Sequence, residues 1–511
     1  MGKPNLRPQR QKLNQLKVQR RKAARRLRDR QAAEGLVRTR TATLSNAQCE
    51  WPGVAEETEA RRQAVDEQIT VFRTALPALL KRLKRIPDPR NAKTIKHKSS
   101  VVLLYGLLTF VFQMSSRREA NRQMSMPVFL ENLKQIFPEL ESLPHHDTLN
   151  RLLSKIEPEQ LQEALIDLVR QFIRSKKFYR YLIGKSYPIA IDGSQKFVRQ
   201  TCWAPETLQR KVGSPAEDGT KELQFYVYVL EASLAFANGM TIPLMTEFLS
   251  YEQGNPYANK QDCELRAFQR LAKRLKQCFP RLPILVLLDG LYPNGPVIEL
   301  CRSYHWDFMM VLQNDSLPSV WEEFRGLEQI EGRNRFEQKW GDRRQHFHWV
   351  NNIEYCYGQN DRKRQILHVV VCDESWKQIA ADSAQLVEKS SRHAWISSRP
   401  LARENVHQRC NLGARHRWGI ESSFLVEKRQ GYCYEHCFSS NWNAMKGYHY
   451  LMRLGHFLNV FVQHSARLAR MVRILGLRGL LQFIRDTCAA PWLDAERIQR
   501  LLHSPAQLRL E

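Results

Sequence analysis

The chain lacks any long hydrophobic run. Its longest, Val101–Met114, has about fourteen residues with Gly106 and Gln113 inside it, short of the roughly 20 that a membrane-spanning helix needs. A buried helix is the expectation there. Paired cysteines are also missing. Eleven are scattered along the chain, an odd number without framework spacing, which excludes a disulfide scaffold and points to free thiols in a reducing cytosol. Cys433, His436 and Cys437 come nearest to a metal cluster, but their spacing fits no zinc pattern. Residues 1–45 are polar and basic, as in Arg21–Arg30, and lack the apolar segment of a secretory signal. Acid is short as well: 52 Asp+Glu stand against 79 Lys+Arg, a net charge of +27. That excess favours polyanions through counterion release. It is not gathered into one Lys-rich amphipathic anchor, so nucleic acid is the expected partner and a membrane is not.

What is present is enough apolar material for several cores, 43% of 511 residues, hence two to four domains. Residues 1–56 read as a basic arm, partly disordered and ordered on a partner. Residues 57–180 read as an all-helical, DNA-binding domain. Val65, Ile69, Phe72, Leu76, Leu79, Leu80 and Leu83 recur at helical spacing until Pro87 and Pro89 interrupt them. Asp147 or Thr148 is the expected N-cap of a helix at Leu149–Ile156, and Arg117, Arg118 and Arg122 either face phosphates or form an ordinary solvated surface. At Ser186 the period changes. Tyr187–Ile191 is a short apolar strand ending at Asp192-Gly193-Ser194. Two strand-like runs flank Asn238-Gly239, a hairpin signal. A helix over Asn259–Phe279, a buried strand at Leu282–Leu288, a helix at Asn294–Tyr304 and a strand at Phe308–Leu312 complete a layered α/β pattern. Residues 319–392 hold alternating aromatic runs, a mostly antiparallel β insertion. Residues 393–437 return to the α/β pattern, and 438–511 are helical.

Two aspartates, Asp192 and Asp289, are expected just past the C-terminal ends of apolar strands, where α/β sheets place reactive groups. A third acid, Glu421, sits in Arg417–Gly431, which reads as an amphipathic helix closed by a left-handed glycine. Arg417, Glu421, Phe424 and Lys428 share one face of it. By itself that face is an i,i+4 ion pair on a solvated surface. Three carboxylates from separate elements would repel one another unless cations neutralise them, and hard oxygen donors suit Mg²⁺.

The order Asp192, Asp289, β-rich insertion, then Arg-x3-Glu-x6-Lys resembles the DDE transposases of bacterial insertion sequences. It is similar to the branch whose signature is Tyr-x2-Arg-x3-Glu-x6-Lys on an RNase H-like core. Arg417, Glu421 and Lys428 match the signature, and its Tyr position falls on Ala414. The strand motifs Ile191–Ser194 and Leu287–Gly290, with Asp88–Arg90 and Ser116–Gln123 in the helical domain, look like the family's as well. The resemblance implies an RNase H-like catalytic core interrupted by the insertion. Asp192, Asp289 and Glu421 would be catalytic and hold two Mg²⁺, with Mn²⁺ able to substitute. Hydrolysis and strand transfer at double-stranded transposon ends and target DNA would follow, with a homodimer pairing the ends. Arg417 and Lys428 would contact the DNA backbone. Trp340 and Trp349 are candidates to receive a flipped base, against the simpler reading that they pack the insertion. The alternatives are a catalytically inactive DNA-binding derivative of a transposase, or another RNase H-like nuclease.

Overall fold

The computed structural model describes residues 7–37, 49–213, 222–250 and 262–510. The chain divides into two compact units. One comprises residues 1–48 and 288–414, the other residues 49–287 and 415–511. The predicted basic arm is a helix, α1 (Arg7–Ala33), which packs in the smaller unit.

The larger unit opens with helices only: α2 (Val54–Leu83), α3 (Ser99–Val111), α4 (Arg117–Met124), α5 (Pro127–Ile136), α6 (His146–Leu153) and α7 (Glu159–Arg174). The apolar run at Val101 forms α3, and every α3 residue from Ser100 to Val111 is buried. The cap of α6 differs from expectation. His145 is the N-cap residue, and its Nδ1 accepts from the Asp147 amide at 3.2 Å.

Five strands follow: β1 (Tyr187–Arg199), β2 (Leu208–Val212), β3 (Glu222–Ala235), β4 (Thr241–Leu249) and, after helix α8 (Glu264–Cys278), β5 (Ile284–Leu288). The start expected for α8, at Asn259, lies outside the described residues. The hairpin at Asn238-Gly239 joins β3 to β4, with Gly239 at φ +88°, a left-handed conformation that glycine adopts without strain. Pairing runs β2–β3–β1–β5, with β4 also on β3. All of it is antiparallel except β1 with β5, whose register pairs Tyr187 with Ile284 and Ala190 with Leu287.

The smaller unit continues with α9 (Gly295–Ser303), β6 (Asp307–Val311), α10 (Pro318–Ile330) and the strands β7 (Arg335–Trp340), β8 (Arg343–Tyr357), β9 (Lys363–Ile379) and β10 (Leu386–Ser397). Pairing is antiparallel in the order β6–β10–β9–β8–β7. Residues 318–330 were expected to be strand-like. They are helical because Val320, Trp321 and Phe324 bury one face at helical spacing. The two aromatic runs at 345–350 and 353–357 are one strand, β8, with a register shift between Val350 and Ile353.

The larger unit resumes with α11 (Trp418–Arg429), α12 (Trp442–Gln463), α13 (Ala469–Cys488) and α14 (Ala495–His503). α12 is its central post, buried without interruption from Gly447 to Gln463. Gly455 lets it approach α3, since a Cβ there would stand 2.8 Å from the Phe110 Cβ and 3.1 Å from the Val111 amide. Among the described residues no helix is long and apolar enough to cross a membrane. All eleven cysteines are free.

Candidate active site

β1 does not end at Asp192, as its sequence suggested. It continues to Arg199, and Asp192 pairs in register with Glu231 of β3. The parallel pairing with β5 reaches only Ala190, so Asp192 stands where β1 outruns that neighbour. Its Oδ1 accepts from the Gly193 amide at 2.9 Å. Gly193 has no room for a side chain: a Cβ would meet the Tyr228 hydroxyl at 2.3 Å and Glu264 Oε2 at 2.6 Å. Tyr228 donates to that same Glu264 oxygen at 3.0 Å.

α11 brings the second acid. Glu421 lies one turn after Arg417, and Arg417 divides its guanidinium between two carboxylates 225 positions apart at its far reach. Nη2 donates to Glu421 Oε1 at 2.8 Å, and Nη1 to Asp192 Oδ2 at 3.3 Å. Arg417 is 6% exposed, whereas the Glu421 side chain is 36% exposed. Asp192 and Glu421 are thus together. The backbone contact expected of Arg417 is not the contact it makes, because both halves of its fork are taken by acid. Lys428 faces Glu435 at 3.3 Å and lies over the Tyr434 ring. Gly431, at φ +97°, follows the C-cap residue Gln430 as the helix signature predicted.

Asp289 belongs to the smaller unit. It follows β5 directly, and its Oδ1 accepts from the Leu291 amide at 2.9 Å, a turn that fixes the carboxylate. It comes two residues after Leu287, the same offset by which Asp192 follows Ala190, and those two residues are register partners. Of the tryptophans, Trp349 is 4% exposed and packs the core of the β unit with Phe347 and Val370. A flipped base would not reach it. Trp340 ends β7 opposite Arg343 and is half-buried.

A buried charge cluster behind Asp192 escaped the sequence reading. Glu231, Glu427 and Arg453 have side chains at most 1% exposed. Arg453 spans both acids, at 2.5 Å to Glu231 Oε2 and 2.8 Å to Glu427 Oε1. His456 Nδ1 lies 2.6 Å from Glu427 Oε1, and Tyr434 donates to Glu231 Oε1 at 3.3 Å. Burial pushes Glu231 up to about 7 against the pull of Arg453. Glu427 is also raised by burial, but Arg453 and His456 outweigh it and leave it below the ordinary range. Burial lowers Lys196, which donates to the Tyr434 carbonyl at 2.8 Å, to about 8. The signal was a lone charge inside each apolar run: Glu231 in β3 and Arg453 in α12.

The motif residues of the helical domain hold helices in place. Arg90 grips Asp88 through Nε at 2.8 Å and Nη2 at 2.6 Å. Ser116 accepts from the Glu119 amide at 3.1 Å, and Glu119 Oε2 in return accepts from the Ser115 amide at 2.8 Å, a variant of the reciprocal capping box. Asn121 Oδ1 accepts from the His146 amide at 2.9 Å. Beside it His145, His146 and Asp147 bring three metal-capable atoms within 4.8 Å of one another. Asp147 is already engaged there, with His146 at 3.0 Å and Arg117 at 3.8 Å.

Residues 80–169, the segment that carries these motifs, match the family model described as DDE_Tnp_1-associated. The match supports a relation to DDE-type transposases. No match was found among curated protein sequences.

Proposed function

We propose that this protein is a DNA transposase that binds the terminal inverted repeats of its element and carries out metal-dependent phosphodiester hydrolysis and strand transfer. The observation that carries the reading is Arg417 bridging Asp192 and Glu421, two acids remote in sequence that share one guanidinium. A purely structural ion pair would need only one of them. The transposase-associated segment at 80–169 supports it. So does the common register offset of Asp192 and Asp289 beyond a parallel strand pair, the arrangement an RNase H-like core would use.

The donor set fits a hard divalent cation. All three side chains offer carboxylate oxygens, and Glu421 is open to solvent. Asp192, Asp289 and Glu421 would hold Mg²⁺, with Mn²⁺ as substitute. Bound there, the ions supply Lewis acidity toward a phosphodiester oxygen and lower the pKa of the attacking group. Arg417 offsets the repulsion between Asp192 and Glu421 and fixes which of their oxygens turn outward. The Gly193 and Leu291 amides lock the two aspartates on the backbone. Two copies of the chain would hold the two ends in synapsis. The test is the DNA flanking the coding region. A labelled duplex carrying a terminal repeat from that flank should be cut in Mg²⁺ at the repeat's end. Equal cutting of unrelated duplexes, or of RNA hybrids alone, would favour a different nuclease.

A further inference from the structure

In the smaller unit α1 lies against β9, and between them opens a cleft of about 670 Å³. Lys17, Arg20, Arg21, Arg28 and Lys377 line it, against one acid, Asp342. Among the described residues none of these five cations forms an ion pair. The Nε atoms of Arg20 and Arg28 are buried and have no hydrogen-bond partner. Buried donors without acceptors are uncommon in folded proteins and carry a cost that an incoming acceptor relieves. The rest of the lining is apolar and aromatic, with Leu27, Val37, Ile379 and Trp376. Trp376 is held in place: Arg343 stacks on its ring at 4.2 Å, and its Nε1 donates to Gln378 at 3.2 Å.

We propose that the cleft between α1 and β9 is a binding site for an unpaired nucleic-acid strand, with Arg20 and Arg28 on its phosphates and Trp376 against a base. The mixture of linings selects this occupant. A duplex is wide and hides its bases in the stack, so it offers phosphates but nothing for the apolar wall. An unpaired strand offers both, and charged grooves with aromatic platforms are how such strands are held without sequence preference. An acidic peptide would satisfy the arginines but leave Trp376 and Ile379 without a partner of matching shape. The site is separate from the proposed metal centre, so it can be tested with that centre disabled.

The experiment measures binding of a labelled single-stranded oligonucleotide, unrelated to the flanking DNA, to the full chain in EDTA. The same oligonucleotide is also presented as a duplex. Arg20→Glu with Arg28→Glu should weaken strand binding by at least about 10-fold. Its log–log salt dependence should become shallower by about 1.4, two phosphates at about 0.7 each. Lys12→Glu with Lys22→Glu makes the same charge change on α1 away from the cleft lining and should cost less than about 3-fold. Trp376→Ala leaves α1 untouched and should weaken the strand about 10-fold at unchanged salt slope. Equal losses in the two charge variants would overturn the proposal. So would a duplex as sensitive as the strand, no effect of Trp376→Ala, or polyglutamate competing as well as the oligonucleotide.

Discussion

Arg453 holds both oxygens of Glu427 through a single nitrogen, Nη1 at 2.8 and 3.0 Å, where neither side chain reaches solvent. Its other nitrogen, Nη2, turns to Glu231 and lies 3.3 Å from the Ser233 hydroxyl. One cation thereby ties α12 to both β3 and α11, the elements that carry Asp192's register partner and Glu421.

Arg453→Met removes the only cation that spans the two acids and leaves both carboxylates buried. Removing one partner of a buried pair costs about 3–5 kcal/mol, and two orphaned acids put the variant at the upper end. Urea unfolding followed by circular dichroism measures it. A loss below about 1 kcal/mol would mean that the cluster opens to water.

The same cluster predicts a pH dependence of stability. Glu231 is raised from 4.5 to about 7 in the folded chain, so the native state binds more protons between these values. Its contribution is fully present below pH 4.5 and is lost as pH rises through about 7. Lys196 is lowered from 10.5 to about 8. Its contribution is present above pH 10.5 and is lost as pH falls through about 8. Glu231→Gln should remove the decline between pH 5 and 7, and Lys196→Met the rise between pH 8 and 10, in denaturant midpoints taken across pH.

How much of this was readable beforehand follows from how local each signal is. The α11 helix and its glycine stop, the β3–β4 hairpin and the buried α3 all rest on spacing and turn chemistry within a few residues, and they stand as expected. The length of β1 was not readable. Asp192-Gly193 looks like a turn, and only pairing with β3 carries the strand through it. α10 was missed because its aromatic content suits a strand equally well. The roles of Arg453 and Glu231 depend on partners more than 190 positions away, which one chain read in order does not supply.

Gly455→Ala tests the contact between α3 and α12. The new methyl would press on Phe110 and on the backbone at Val111, where little can yield. Overpacking of this kind costs about 1–3 kcal/mol, against the small gain that alanine brings to a helix interior. A melting temperature above the wild type would show that the two helices can separate to admit it.

Arg417→Lys separates fork from charge. Lysine keeps the cation but cannot serve Asp192 and Glu421 in one plane. Cleavage of the end duplex should fall about 10²-fold while end binding changes by less than about 3-fold. Full activity in the variant would reduce Arg417 to a charge.

The most direct measurement compares Mg²⁺-dependent cleavage of the terminal-repeat duplex by the wild type with Asp192→Asn, Asp289→Asn and Glu421→Gln. The wild type should cut at the repeat's end, and each variant should lose at least about 10³-fold in rate while holding the duplex with little change in affinity. A wild type that binds the ends yet stays inert in Mg²⁺ and Mn²⁺, or any of the three variants cutting as fast as the parent, would contradict the account.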